Sequence, residues 1–379
     1  METILHLERM FYKKTETFII NQIKTISSYL IDVVCIQNNH QNSFPENVIS
    51  PPGNNMFKPF RTKILNTRDN NYLKNTLSHK SYALLHTHFI SDAAFFNPLT
   101  SNMRIPKVVS AYGYDVSEFP ERFFGYGKMY LKKVFDEYNL VLAMSEDMKA
   151  DLMKIGCPEN KILIHYHGID TGYFTNNQRT YFNKDHYNLI SVGTLCEKKG
   201  QHLIIEALNI IINFYNKKNI RYEIVGSGPN EKYIQNKISE YNLSAYVKMS
   251  GHINYGPLLK SKYATADVFL HPSIIDSNGG KEGIPGVIVE AMSNGLPVVT
   301  TKHAGIPSII KDNFNGILVE ESNVEELTDA ILQILDSSNL RAKLGNNAKM
   351  YACENLNMYK KAKYLEEHIY TNLISNYTS

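Results

Sequence analysis

Tryptophan is absent from this 379-residue chain, and cysteine is scarce. The four cysteines, Cys35, Cys157, Cys196 and Cys353, lie far apart, with no Cys-x-x-Cys and no Cys/His spacing of a zinc site. Reduced thiols in a cytosolic protein are the default reading. An excess of charge of one sign is lacking too: 40 basic residues stand against 37 acidic ones, a net charge of +3. That balance gives no case for a nucleic-acid binder, although a local basic patch stays open because net charge says nothing about distribution. No run approaches the ~20 apolar residues of a membrane helix, and METILHLERMFYKKTE has no apolar core of signal-peptide length. The expected location is therefore cytoplasmic. Tyrosine is abundant, at 25 residues, and carries no functional implication.

What is present is a globular composition, 43% hydrophobic and 20% charged. The length is too great for one ordinary α/β domain and comfortable for two. In the second half, short apolar strands are expected at Leu189–Val192, Tyr222–Val225, Val247–Ser250, Val268–His271 and Pro297–Thr301, each followed by a turn and a helical pattern. The first half reads similarly, with strands at Ile4–Leu7, Ile31–Ile36, Tyr82–Leu85, Val108–Ala111 and Leu140–Met144, and a helix near Thr15–Thr25. Ser145 is a good N-cap for a helix running to Gly156. Such alternation implies parallel sheets covered on both faces. The polar stretch Thr171–Asp185 reads as the interdomain linker, and the Asn- and Pro-rich stretch 38–59 as a loop. From Asn355 onward the chain reads as helix, with Tyr359, Tyr364, Leu365 and Ile369 as candidate buried positions. The expected architecture is α/β: two Rossmann-like domains facing across a cleft, 1–175 and 186–361. Ligands of open α/β sheets bind at the carboxyl ends of the strands.

The most informative stretch is Lys281-Glu282-Gly283-Ile284-Pro285-Gly286-Val287-Ile288-Val289-Glu290. Pro285 suits the first turn of a helix, where its missing N–H was unpaired anyway. The glycines let a ligand approach the backbone, and the helix N-terminus makes an anion site suited to a diphosphate. Glu290 lies about 7 Å along the axis from Pro285 at ~1.5 Å per residue. Glu282 and Glu290 are thus too far apart to share one proton or one metal, yet can hold two ends of an elongated ligand. Each carboxylate can accept from vicinal hydroxyls, such as those of a ribose or a hexose. A nucleotide sugar fits; so does an ordinary helix with a surface glutamate. Gly193-Thr194-Leu195-Cys196-Glu197-Lys198-Lys199-Gly200 also follows a strand and precedes a helix. Lys199 can reach a phosphate as a point charge, or belong to a solvated lysine pair.

These two stretches resemble the family 4 glycosyltransferases of the GT-B fold. The E-x7-E pair is Glu282 and Glu290, surrounded by His271-Pro272-Ser273, EGIPGVIVEAMSNGLPVVTT and Ala304-Gly305-Ile306-Pro307. The likeness extends to Gly226-Ser227-Gly228-Pro229, Gly251-His252-Ile253, His167-Gly168-Ile169-Asp170 and Thr15-Glu16-Thr17-Phe18-Ile19. It covers most of the chain, and IDSNGGKEGIP is nearest the colanic-acid and amylovoran exopolysaccharide branch. The resemblance implies a retaining, metal-independent transfer without a cofactor, and no Asp-x-Asp occurs. It assigns Glu282 to donor-sugar hydroxyls, Glu290 to the ribose and Lys199 to charge on the leaving diphosphate. Amides at Gly283–Val287 would assist, with Gly193 and Thr194 lining the donor. The backbone at His252 and Ile253 would face the base, while Thr15 and Glu16 would approach the phosphates. It also implies a C-terminal helix, about 362–379, crossing back to the first domain. The donor would be UDP- or GDP-linked, and the acceptor a glycan or polyprenyl-linked oligosaccharide.

Two departures stand out. Thr194 occupies the position where the family usually carries arginine. In Val109-Ser110-Ala111-Tyr112-Gly113-Tyr114-Asp115, Tyr112 replaces the histidine of F-H-G-Y-D, a position near the donor sugar and acceptor. Asp115, His86 and His88 fall on the acceptor side by the same resemblance. His86-Thr87-His88 could put both rings on one face after a strand; a metal reading needs a third ligand, and cleft lining and packing are the alternatives. Arg122-Phe123-Phe124 through Lys128, Tyr130, Leu131, Lys132 and Lys133 is either a solvated helix face or a peripheral contact with anionic lipid. Two other functions remain: a non-catalytic nucleotide-sugar-binding subunit, suggested by Thr194 and Tyr112, and a sugar-nucleotide epimerase of the same architecture.

Overall fold

The computed structural model describes residues 1–11, 16–39, 47–52, 65–121 and 126–378. Thr15, Arg122, Phe123 and Phe124 lie outside the described residues. The chain divides into two units, Met1–Gly168 with Met358–Ser379, and Ile169–Asn357.

The first unit is built on a seven-stranded parallel sheet in the order β5-β3-β1-β6-β7-β8-β9. Its strands are β1 (Thr3–Leu7), β3 (Leu30–Val34), β5 (Asn47–Ile49), β6 (Leu84–His88), β7 (Lys107–Ser110), β8 (Leu140–Ala143) and β9 (Ile162–Ile164); a short pair, β2 (Met10–Phe11) and β4 (Gln37–Asn38), stands apart. The central strands β1, β6 and β7 are buried almost throughout, as expected where both faces of a parallel sheet are covered. Two expectations change here. β5 lies inside the stretch read as a loop, pairing with β3 at the edge. β6 runs on through His86 and His88 rather than ending before them, with His6 opposite His86 and His88 opposite Ser110. The histidines tolerate this because their rings find buried partners, described below. Ser145 does cap the helix Glu146–Lys154, accepting from the Met148 amide.

The carboxyl-terminal segment, Met358–Tyr364 continuing to Thr371–Thr378, belongs to this unit. Leu365, Ile369 and Tyr370 pack with Ile4, Leu84, Val108 and Leu142. The Glu366 carboxylate accepts the amides of Ser27 and Ser28, each at 2.6 Å. Tyr359 and Tyr364 are exposed instead of buried, because Met358, Ala362, Leu365 and Ile369 form the inward stripe at helical spacing.

The second unit carries a six-stranded parallel sheet in the order β12-β11-β10-β13-β14-β15. The strands are β10 (Tyr187–Val192), β11 (Ile220–Val225), β12 (Val247–Met249), β13 (Val268–His271), β14 (Val298–Thr301) and β15 (Ile317–Val319). Only β15, three residues long, escaped the periodicity reading. The helix Val324–Asp336 turns Leu327, Ala330, Ile331, Ile334 and Leu335 onto a core shared with Leu189, Ile204, Ile224, Leu270 and Val299. The stretch expected to be a linker is instead anchored within this unit. Arg179 donates to the carbonyls of Tyr263, Ala266 and Asn294, and the Tyr181 hydroxyl to Gly295. Its polar side chains satisfy carbonyls of the unit's interior. Among the described residues no helix is long and apolar enough to cross a membrane.

Candidate functional site

At the carboxyl ends of the second unit's strands, two tight approaches of backbone fix a floor. An ideal Cβ on Gly226, after β11, would lie 1.9 Å from the carbonyl oxygen of Gly193, after β10. One on Gly200 would lie 1.9 Å from that of Pro272, after β13. An ideal Cβ on Gly193, at φ 151, would meet the side chains of His271 and Lys199 at 3.9 Å, an ordinary contact. The turn Glu197–Lys199 ends at Gly200 in the left-handed region, φ 66, which directs the chain into the helix Gln201–Asn209.

Lys199 and Glu282 meet on this floor. The Lys199 ammonium is 3.0 Å from Glu282 Oε2, with side-chain exposures of only 14% and 11%. Burial alone would raise the Glu282 carboxyl, but Lys199, then Lys198, outweigh it and hold the group at about 2. The Glu282 carboxyl is therefore ionised at neutral pH. Glu282 Oε1 is buried and has no hydrogen-bond partner, and neither has the buried Nε2 of His271. Burial, followed by the nearby Lys199 charge, brings His271 down to about 3, so its ring is neutral. An ionised oxygen left bare is a costly arrangement unless a ligand donates to it.

The helix Gly286–Ser293 begins one residue later than expected, with Pro285 as its N-cap at ψ 117 rather than in its first turn. Its first amides lack intrahelical acceptors, which leaves donors for an anion. Gly283, Ile284, Gly286 and Val287 are partly exposed along this approach, whereas Pro285 is buried. One helical turn in, Glu290 accepts from the Tyr263 hydroxyl at 2.7 Å. Burial raises the Glu290 carboxyl to about 7 against that hydrogen bond. Tyr263 was not singled out from sequence; only the fold brings the helix Pro257–Thr265 beside Glu290. Glu282 is tied from the far side by a second unforeseen group: its amide donates to His303 Nε2 at 3.1 Å. Thr194 is exposed. The exposed His252 pairs with Asn254 Oδ1, and Ile253 is partly buried beside it.

The first unit gathers the histidines differently. His86 Nδ1 bonds the Tyr370 hydroxyl at 2.6 Å and its Nε2 the Ser110 hydroxyl at 2.8 Å. His88 Nε2 bonds His6 Nδ1 at 2.9 Å, and its Nδ1 the Tyr112 hydroxyl at 2.8 Å. His6 supplies the third imidazole that the sequence could not name, and the three lie with one ring nitrogen each within 4.8 Å of one another. The nitrogens that approach one another are already engaged: His6 Nδ1 with His88 Nε2, and both nitrogens of His86 with Tyr370 and Ser110. Burial holds His6, His165 and His167 at about 3 and lowers His86 and His88 well below the ordinary histidine range. The cluster is a neutral packed network. His86 and His88 are fully buried, so they line no surface.

Asp115 requires the same correction. It is fully buried, with Oδ2 accepting the Ile90 amide at 2.8 Å and Oδ1 those of Tyr112 and Gly113 at 3.1 Å. Burial raises its carboxyl to about 6 despite these bonds. It joins the turns after β6 and β7, with its carboxylate oxygens spent on their amides. Tyr112 turns its hydroxyl inward to His88, while its ring packs against Phe18 at 4.7 Å and Phe89 at 4.8 Å. Glu16 stands at the N-cap of the helix Thr17–Thr25 without capping it through its side chain. The helix Gly127–Glu137 buries Leu131, Val134 and Phe135 and exposes Lys128, Met129, Tyr130, Lys132 and Lys133.

Two family models match adjoining parts of the chain: Glycosyltransferase Family 4 over residues 15–173, and Glycosyl transferases group 1 over residues 174–351. A putative colanic acid biosynthesis glycosyltransferase of Escherichia coli is 35% identical over 200 residues, 53% of this chain and 48% of that protein. An amylovoran biosynthesis glycosyltransferase of Erwinia amylovora is 33% identical over 204 residues, 53% of this chain and 49% of that protein. The chain thus matches about half the length of these curated relatives. Among solved structures, Anabaena HepE in complex with UDP superposes with a TM-score of 0.79 at 18% identity, covering 98% of this chain and 100% of that one. Sucrose-phosphate synthase from Thermosynechococcus elongatus gives 0.80 at 17% identity, covering 99% and 100%. At such identities these two establish the fold.

Proposed function

The chain belongs to the family 4 glycosyltransferases of the GT-B fold, and from that premise we propose that it moves a sugar from a nucleoside-diphosphate donor to a glycan or polyprenyl-linked oligosaccharide. The process we assign is surface-polysaccharide biosynthesis, in keeping with relatives named for colanic acid and amylovoran. The observation that carries the reading is the largely sheltered Lys199–Glu282 pair with its bare Oε1. In the proposed donor complex, a sugar hydroxyl donates to Glu282 Oε1. The diphosphate lies on the first amides of the helix Gly286–Ser293, and the ribose hydroxyls donate to Glu290. The bond between the anomeric carbon and the diphosphate oxygen breaks, leaving its electron pair on the nucleotide. Lys199 balances that developing charge in a site sheltered from water. The acceptor oxygen bonds the anomeric carbon and passes its proton to the departing diphosphate oxygen. Retention of anomeric configuration, independence of metal ions and the absence of a cofactor are part of the proposal.

Thermal-shift measurements with UDP, GDP, ADP and their sugars test the donor reading, since a ligand of the folded state alone raises its apparent stability. A rise with one nucleotide and a larger rise with its sugar are expected; no rise with any overturns the reading. NMR of the product of an active pair should give the donor's anomeric configuration, in EDTA as in its absence. An inverted product overturns the retaining assignment. A donor sugar interconverted without acceptor would make the protein an epimerase.

A second reading, a non-catalytic nucleotide-sugar-binding subunit, draws on Tyr112, whose hydroxyl is spent on His88. It predicts nucleotide binding with no hydrolysis or transfer from any donor. The basic and aromatic face Lys128, Met129, Tyr130, Lys132 and Lys133 supports peripheral contact with anionic lipid. Sedimentation with phosphatidylglycerol liposomes should fall when Lys132 and Lys133 become glutamate, and unchanged binding would remove the membrane from the proposal.

A further inference from the structure

Glu321, just past β15, holds both ends of the segment that carries Glu282. Its Oε2 accepts the amide of Ile275 at 2.9 Å. Its Oε1 lies 2.7 Å from Nδ1 of His303, whose Nε2 takes the amide of Glu282 at 3.1 Å. His303 is fully buried just past β14. The turn after it is equally constrained. Ala304 adopts φ 44, in the left-handed region that side chains avoid, and a Cβ on Gly305 would fall 2.4 Å from the Gly283 carbonyl oxygen. None of these four residues touches Lys199 or Glu290 through any hydrogen bond described above.

The direction of each bond follows from its ends. A backbone N–H can only donate, so His303 Nε2 accepts and the ring proton sits on Nδ1, donating to Glu321. The carboxylate therefore fixes the tautomer, and the tautomer fixes the Glu282 backbone. We propose that Glu321 and His303 are positioning residues that aim the bare Oε1 of Glu282 at the donor sugar. The proposal rests on the transferase reading above and extends it to residues outside the donor contacts.

The isostere Glu321→Gln is the sharpest variant. Both Glu321 oxygens face donors, the Ile275 amide and His303 Nδ1–H, and an amide side chain offers only one acceptor. Whichever way it turns, one link meets a donor head-on or forces the Nε2–H tautomer against the Glu282 N–H. Nitrogen-15 NMR of histidine-labelled protein reads the relay without any substrate. The expected native signal is an acceptor Nε2 with Nδ1 protonated, altered in Glu321→Gln together with the Glu282 amide shift. An Nε2–H tautomer in the native protein overturns the relay.

Kinetics on a panel of UDP-glucose, UDP-galactose, UDP-N-acetylglucosamine and GDP-mannose read its consequence. Glu321→Gln and His303→Ala should lower kcat about 10- to 100-fold with KM within about threefold, the size seen when a supporting shell is loosened. UDP or GDP affinity should not change, because Glu290 and the helix amides are untouched. His303→Gln, which returns an acceptor near the Nε2 position, should recover part of kcat; this keeps the test decisive if His303→Ala does not fold. Folded variants with native kcat overturn the positioning role while the transferase stands. A native protein that turns over no donor overturns the transferase reading and the kinetic role with it, even where the tautomer is as expected.

Discussion

The two units bury polar groups in opposite fashion. In the second, Glu282 is ionised beside the Lys199 ammonium at 3.0 Å, and its carboxylate keeps one oxygen bare. In the first, five histidines are buried and neutral, and His86 and His88 have partners at every ring nitrogen. His6 Nε2, His165 Nε2 and His167 Nδ1 do stand without partners, but a neutral imidazole edge costs far less to leave unpaired than a carboxylate oxygen. A cluster of ligand-type residues is therefore not evidence of a site by itself; what marks a site is charge held where the protein alone does not satisfy it.

The largest effect that would break this contrast is at Lys199. Lys199→Ala should reduce sugar transfer about 10³-fold, the upper range for a lost electrostatic stabiliser. It should also destabilise the fold by about 3 kcal/mol, because the Glu282 carboxylate is left buried and alone. The double variant Lys199→Met with Glu282→Gln should recover the melting temperature but not the activity. Transfer within tenfold of native in Lys199→Ala would remove this pair from the chemistry.

Glu290 sharpens the comparison through pH. Burial raises its carboxyl to about 7 in the fold, above the ordinary 4.5 of the unfolded chain. Its neutral form is thus favoured in the native state, and stability is lost as pH rises from 4.5 to about 7, with no further change above. Glu290→Gln should melt higher than native at pH 8, an advantage that shrinks toward pH 4.5. The same variant should bind nucleotide about tenfold more weakly at pH 8, the cost of about 1.4 kcal/mol for a lost hydrogen bond to a charged group. Native nucleotide affinity should itself rise between pH 6 and 8 as Glu290 ionises. A Glu290→Gln melting temperature that does not gain on native with pH would contradict the buried-carboxylate description.

The smallest expected effect on turnover is in the first unit. His88→Phe leaves the Tyr112 hydroxyl and His6 Nδ1 without a partner and should cost about 1–3 kcal/mol of stability. Turnover measured below the transition should change by no more than about threefold, the range of a purely structural loss. Abolished turnover with an unchanged melting temperature would turn the histidine network into a second functional centre.

Much of the second unit was legible in the sequence because strand ends carry unambiguous punctuation. Gly193, Gly200 and Gly226 mark turns where backbone meets backbone, and the place of Glu290 one turn into the helix Gly286–Ser293 follows helix geometry. His303, Glu321 and Tyr263 were not legible as site residues. Their roles depend on which turns the sheet order brings together, here those after β13, β14 and β15, and on the packing of one helix beside another. The first unit misled for a related reason. His86 and His88 were read as emerging from a strand that in fact carries them inward, because their partners, His6 and Tyr370, are distant in sequence. Asp115 looks like a functional carboxylate until its three amide donors are seen. The segment Thr171–Asp185 looked like a linker because the carbonyls that hold Arg179 lie about a hundred residues away.

The central claim is that Glu282 Oε1 waits for a donor-sugar hydroxyl, and calorimetry of two ligands on two proteins measures it. Native protein should bind the nucleotide sugar more tightly than the corresponding nucleoside diphosphate. Glu282→Gln should bind the nucleoside diphosphate as native does and lose the sugar's increment. A Glu282→Gln protein that keeps the full increment would contradict the account.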